Sequence, residues 1–142
     1  MVTAGVALLG VTAPAAAAAG PAVRFYNTQY DAPGKDIRTN THINKEWISI
    51  INDTSSSIQL RGWTIRDKAN HTFTFGTTTI KPYTRLLLLS GKGTPVPNHR
   101  YWGSGNYIWN NDGDTAYLRN AAGTLIDTCT WGYKSGRTVF TC

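Results

Sequence analysis

Between Glu46 and Phe75 the chain runs twice through period-two alternation, with a polar turn between the two runs, and this pattern constrains the fold more than any other. Glu46, Ile48 and Ile50 fall on one side of an extended segment and Trp47, Ser49 and Ile51 on the other, as in a half-buried strand. Asn52-Asp53-Thr54-Ser55-Ser56-Ser57 breaks the alternation, because short polar side chains that bond their own backbone favour turns. Beyond it Ile58 and Leu60 share a face, while Trp63 and Ile65 have the opposite parity. The pattern therefore slips by one residue at Arg61-Gly62, where glycine permits the bend or bulge that returns Trp63 to the core. Trp47, Trp63, Phe73 and Phe75 are expected to fill that core.

The flanking sequence reads the same way. Val23 to Tyr30 is a first strand, ended by the turn Asp31-Ala32-Pro33-Gly34-Lys35-Asp36, and the polar stretch to Asn44 reads as a loop. Four leucines after Arg85 lack alternation, which predicts a strand that is central or covered on both faces. Pro95 and Pro97 cannot donate to a ladder, so Gly91 to Pro97 is a loop. Tyr101 to Trp109 packs four aromatics around two glycines and is expected to cross and plug one end of the fold. Asn110-Asn111-Asp112-Gly113 and Asn120-Ala121-Ala122-Gly123 are turns around the strand ending at Arg119.

The first 22 residues carry no charge and are rich in Ala, Val, Leu and Gly, with small residues at Ala15 to Ala19. Residues 1–22 therefore read as an export signal that lacks a basic n-region; a membrane-spanning helix is the alternative, opposed by Pro14 and the weak hydrophobicity of alanine. Residues 23–142 form one domain of ordinary size. All the charged residues lie in this part, which keeps the formal charge of +6. Export and an even cysteine count argue for a Cys129 to Cys142 bridge, with an intermolecular bridge or free thiols as the alternatives. The loop it closes, of about 14 residues, is worth roughly 3 kcal/mol by chain entropy.

Chemistry is sparse. No nucleophile-elbow sequence frames a serine, so His71, at the start of a strand, and His42 and His99, in loops, read as structural or solvated. Asp112, Asp114 and Asp127 could serve a small metal-dependent hydrolase or nuclease, but carboxylates beside Gly113 are what a turn needs. No catalytic residue, cofactor or metal is expected. The basic residues Arg61, Arg66, Lys68, Arg85 and Lys92 would attract a polyanion if they converged on one face. Tyr101, Trp102, Tyr107 and Trp109 are the aromatic candidates for a recognition surface, with burial as a plug the competing reading.

Taken together, Glu46-Trp47-Ile48 leading to Asn52, Leu60-Arg61-Gly62-Trp63-Thr64-Ile65, His71 to Phe75, Tyr83 to Gly91, Trp102-Gly103, Trp109 to Leu118 and Gly123 to Asp127 resemble the lamin-tail domain. The resemblance spans roughly residues 23 to 131. It implies an all-β, immunoglobulin-like sandwich of about 7 to 9 antiparallel strands, of the kind found in secreted or surface-attached bacterial proteins. Bacterial members often carry a second acidic residue where this chain has Ser49, so no carboxylate pair is expected on that strand. The expected role is a non-catalytic, secreted interaction or scaffold module whose protein or cell-envelope partner is supplied in trans, or which oligomerises through a sheet edge. The alternative is electrostatic binding of a polyanion such as extracellular DNA or acidic polysaccharide, since some lamin-tail domains interact with DNA.

Overall fold

In the computed structural model, which describes Gly10 and residues 20–142, eleven strands and one short helix follow each other along the chain. The expected signal segment lies almost wholly outside the described residues. Among those described, no helix is long and apolar enough to cross a membrane. The strands are β1 (Val23–Gln29), β2 (Trp47–Asn52), β3 (Ile58–Gln59), β4 (Thr64–Arg66), β5 (Thr72–Thr74), β6 (Thr79–Ile80), β7 (Arg85–Leu89), β8 (His99–Tyr101), β9 (Gly113–Arg119), β10 (Leu125–Gly132) and β11 (Val139–Thr141), with α1 (Asn40–Ile43) between β1 and β2.

A five-stranded sheet, in the order β11-β1-β2-β7-β8, faces a four-stranded one, β10-β9-β4-β5, and β3 pairs with β6 in a small ribbon. This is the β-sandwich that the alternation predicts and the immunoglobulin-like form that the resemblance implies. Strands of two residues, β3 and β6, lift the count above 7 to 9, and the β7–β8 ladder is parallel while the others are antiparallel. Alternation decides what the sheets bury between them: Val23, Phe25, Ile48, Ile50, Leu86 and Leu88 from one, and Ile65, Ala116, Leu118, Cys129 and Trp131 from the other.

The slip at Arg61-Gly62 is a turn. Trp63 N–H donates to Leu60 C=O at 2.9 Å, and Gly62 has φ +79, a conformation that glycine adopts without steric cost. Phe75 is buried, and Trp63 and Phe73 pack against the core as expected. Trp47 is a correction: it lies half-buried on the outer face of its sheet, because Ile48 and Ile50 already take the inward parity. The leucine run meets the first of its two expected alternatives. β7 is central, yet Leu86 and Leu88 point inward while Leu87 and Leu89 stay half-exposed on the outer face, so one side of this strand is only partly covered.

Cys129 and Cys142 form a disulfide. It joins β10 of the four-stranded sheet to the residue that follows β11 of the five-stranded sheet, so the bond staples the two layers. Nearby, Asp127 Oδ2 accepts the Phe25 N–H at 2.8 Å, beside the bulge in β1 that turns both Tyr26 and Asn27 toward the outer face.

Candidate functional site

Glu46 directly precedes β2 and shares the inward parity of Ile48 and Ile50, so the fold carries its carboxylate into the end of the sandwich, where the residue is 1% exposed. Three donors converge on one of its oxygens. Oε1 accepts from Ser90 Oγ at 2.6 Å, from Ile108 N–H at 2.7 Å and from Trp109 N–H at 3.1 Å. These bonds tie the end of β7 and the aromatic segment after β8 to the start of β2. No described residue donates to Oε2. Burial pushes the Glu46 carboxyl up to about 7, the hydrogen bonds oppose this in part, and the charge of Asp36 adds to it.

Beside Glu46 opens a cavity of about 370 Å³ whose other lining residues include Asp31, Asp36, Asp112, Tyr107 and Trp109, and no Lys or Arg. Burial, followed by the charge of Asp36, raises the Asp31 carboxyl as well. The neighbouring wall is set by α1. Thr39 caps this helix by accepting the His42 N–H, and His42 is itself buried. The ring Nε2 lies 2.9 Å from the Pro33 carbonyl, which can only accept, so in the neutral ring Nδ1 accepts the Tyr107 hydroxyl. His42 therefore latches the loop after β1 to the aromatic segment. The expectation that it sits solvated in a loop is corrected, because the helix places its ring beneath both. His99 is half-buried on β8, and His71 donates from its backbone and ring to the buried Asp67 at 2.7 and 2.6 Å.

The aromatic segment is mostly a plug. Trp109 is 3% exposed, meeting Trp102 edge-on at 5.8 Å and Trp131 at 5.5 Å, so its ring is enclosed by other rings, as the plug reading has it, and it also lines the cavity beside Glu46. Its Nε1 finds no acceptor among the described residues. Trp102 is half-buried against Phe73 and the core. Tyr101 and Tyr107 keep partial exposure, Tyr101 covering Gly93 and Tyr107 lining the cavity.

The five basic candidates are spread over separate parts of the fold. Arg66 lies on the outer face of the four-stranded sheet, 4.9 Å from the Tyr117 ring, and Arg85 on the outer face of the five-stranded sheet, 4.5 Å from that of Tyr26. Arg61 and Lys68 are exposed in turns beside β4, and Lys92 stands in a loop clamped by Asn40 and Asn44. Arg85 instead shares a groove of about 180 Å³ with Lys81 and Arg100, lined by no carboxylate. Sequence reading missed these last two: Lys81 is only four residues from Arg85, but the parallel pairing of β8 with β7 that brings Arg100 alongside is not written in the local pattern. Ser49 is fully buried in a polar knot with Asn27 Oδ1 at 2.6 Å and Arg85 Nη2 at 3.2 Å.

The three aspartates weighed for hydrolysis are dispersed. Asp114 accepts the N–H groups of Lys68, Thr115 and Asn110 at 3.0, 2.8 and 3.0 Å and so builds its turn. Asp127 holds the β1 bulge, and Asp112 borders the cavity beside Glu46. Among the described residues no three His, Cys, Asp or Glu side chains are gathered for one metal ion.

A family model for the lamin tail domain matches residues 16–133, which takes in β1 through β10. This chain belongs to the lamin-tail-domain family. Lamin tail domains are immunoglobulin-like folds that generally serve as interaction modules rather than enzymes. No curated protein matches this lamin tail domain. The residue that sequence reading passed over is Glu46, and its signal was present: it is the one charged residue with core parity on the strand that opens the pattern.

Proposed function

We propose that this lamin tail domain is a non-catalytic extracellular interaction module that engages a protein or cell-envelope partner at the loop end of its sandwich. The observation that carries the reading is the cavity beside Glu46, where a carboxylate oxygen that no described residue bonds opens between loops on the two-sheet frame. The uncharged apolar N-terminal stretch and the disulfide support export. Cosedimentation of the purified protein with envelopes of the producing cell tests the proposal. Saturable retention is expected, and protease treatment of the envelopes separates a protein partner from a polymer. Absence of retention at low and physiological salt overturns it.

A second reading, electrostatic capture of a polyanion, is favoured by the groove of Lys81, Arg85 and Arg100 within a chain of charge +6. Titration with single- and double-stranded DNA at rising salt distinguishes it: affinity falling steeply with salt supports capture, and no binding at low salt removes it.

A further inference from the structure

The cavity beside Glu46 has the chemistry of a site for a positive group. We infer that it is a socket for an alkylammonium group, the charged end of a lysine side chain or of a free polyamine. This assignment rests on the interaction reading above and names the partner chemistry at that site.

Three observations converge on it. Glu46 is 1% exposed, its Oε1 accepts from three donors, and its Oε2, on a residue that lines the cavity, receives none from the described residues. Oε2 is not fully enclosed but opens on the cavity, where a cationic donor makes the stronger, charge-assisted kind of hydrogen bond. Second, Asp31, Asp36 and Asp112 line the same cavity and no Lys or Arg does, although the chain as a whole carries +6. The lining itself is thus negative, with the Arg38 charge acting on Tyr107 from outside it. Third, the half-exposed Tyr107 stands at this wall, and aromatic rings beside carboxylates favour organic cations.

Geometry selects among cations. The carboxylates are not gathered as three ligands around one point, and about 370 Å³ exceeds what a bare ion needs. A guanidinium favours a bidentate carboxylate, whereas Glu46 offers a single open oxygen. An ammonium carries three rotatable donors, one for Oε2 and two for the rim or water.

The test is an amide NMR titration of the purified full chain near neutral pH and low salt. The probes are 1,5-diaminopentane, an Nα-acetyl-lysine amide, the same lysine acetylated on its side chain, an arginine amide, and calcium and magnesium chloride. At least one of the two amines is expected to bind saturably, moving the Glu46, Ile108 and Trp109 amides. The acetylated lysine and the arginine amide should bind about tenfold more weakly or not at all. Binding by the lysine amide alone assigns the ligand to a peptide or protein, and by the diamine alone to a free polyamine. Asp36→Asn, at an exposed rim position, should weaken the amine about threefold or more with unchanged Tm, and Glu46→Gln should abolish binding. No binding by either amine, tighter binding of a divalent metal, or amine binding indifferent to Asp36→Asn overturns the assignment. Envelope retention that excess amine does not displace removes the socket and leaves the interaction module standing. Amine binding without envelope retention does the reverse.

Discussion

At the scale of single residues, Glu46 carries an electrostatic cost of burial. Its carboxyl releases its proton near 4.5 in an unfolded chain and near 7 in the folded one, chiefly because burial disfavours the charge. Between those values the folded state holds the extra proton, so this group makes stability fall as pH rises from about 4.5 to about 7 and leaves it level above. The loss is about 3 kcal/mol at full ionisation. Asp36 adds to it, and Asp31 and Asp112 share the cavity. Glu46→Gln is therefore expected to gain on the parent protein progressively over that window, by up to about 3 kcal/mol at pH 8 relative to its effect at pH 4. Urea unfolding of both proteins at the two pH values measures it, and a pH-independent difference would contradict it. Gly62 is a backbone counterpart. At φ +79, with the Ala121 Cβ 3.1 Å from where a Gly62 Cβ would sit, Gly62→Ala should cost about 1–2 kcal/mol in the same assay. That glycine was legible from the parity slip around it. The environment of Glu46 was not, because its donors lie 44, 62 and 63 residues away.

At the scale of elements, α1 shows how a very short helix can organise a site. Its Asn40 and Asn44, one turn apart, accept the N–H groups of Lys92 and Gly91 at 2.7 and 2.8 Å and both donate to Lys92 C=O at 2.9 Å. From the same turn, His42 joins Pro33 to Tyr107. Four residues are too few to display a 3.6-residue period, so this region reads from sequence as a loop. His42→Ala should lower stability by about 1–3 kcal/mol, since it strips partners from groups around a buried ring. Hydrogen exchange should quicken at Tyr107 to Trp109 more than in β9, and uniform acceleration would argue against a local latch. The leucine run on β7 teaches the opposite lesson. Its missing alternation reflects a central strand whose outer face is covered only in part, a distinction that hydrophobicity alone does not make.

At the scale of the whole molecule, the two sheets are joined by their common core and by the Cys129–Cys142 bond. The bond spans 13 positions and restrains the C-terminal strand in the unfolded chain, so its reduction should cost about 3 kcal/mol. Thermal unfolding with and without reductant checks this, and an unchanged Tm with thiols shown to be free would refute it. Much at this scale was decided locally. Period-two alternation, polar turn clusters and glycine positions determine strands, and strands with one apolar face must stack, so the sandwich follows from the sequence by itself. Which charges meet does not follow. Arg66 and Arg85 are separated because alternation places them on the outer faces of different sheets, whereas Lys81, Arg85 and Arg100 come together through the turn before β7 and the parallel β8. The cavity beside Glu46 likewise needs the loop after β1 and the segment between β8 and β9 to meet the start of β2 at one end of the frame. Backbone periodicity is a short-range property and is written along the chain; the neighbours of a buried charge are supplied by distant segments, and only their packing in three dimensions sets them.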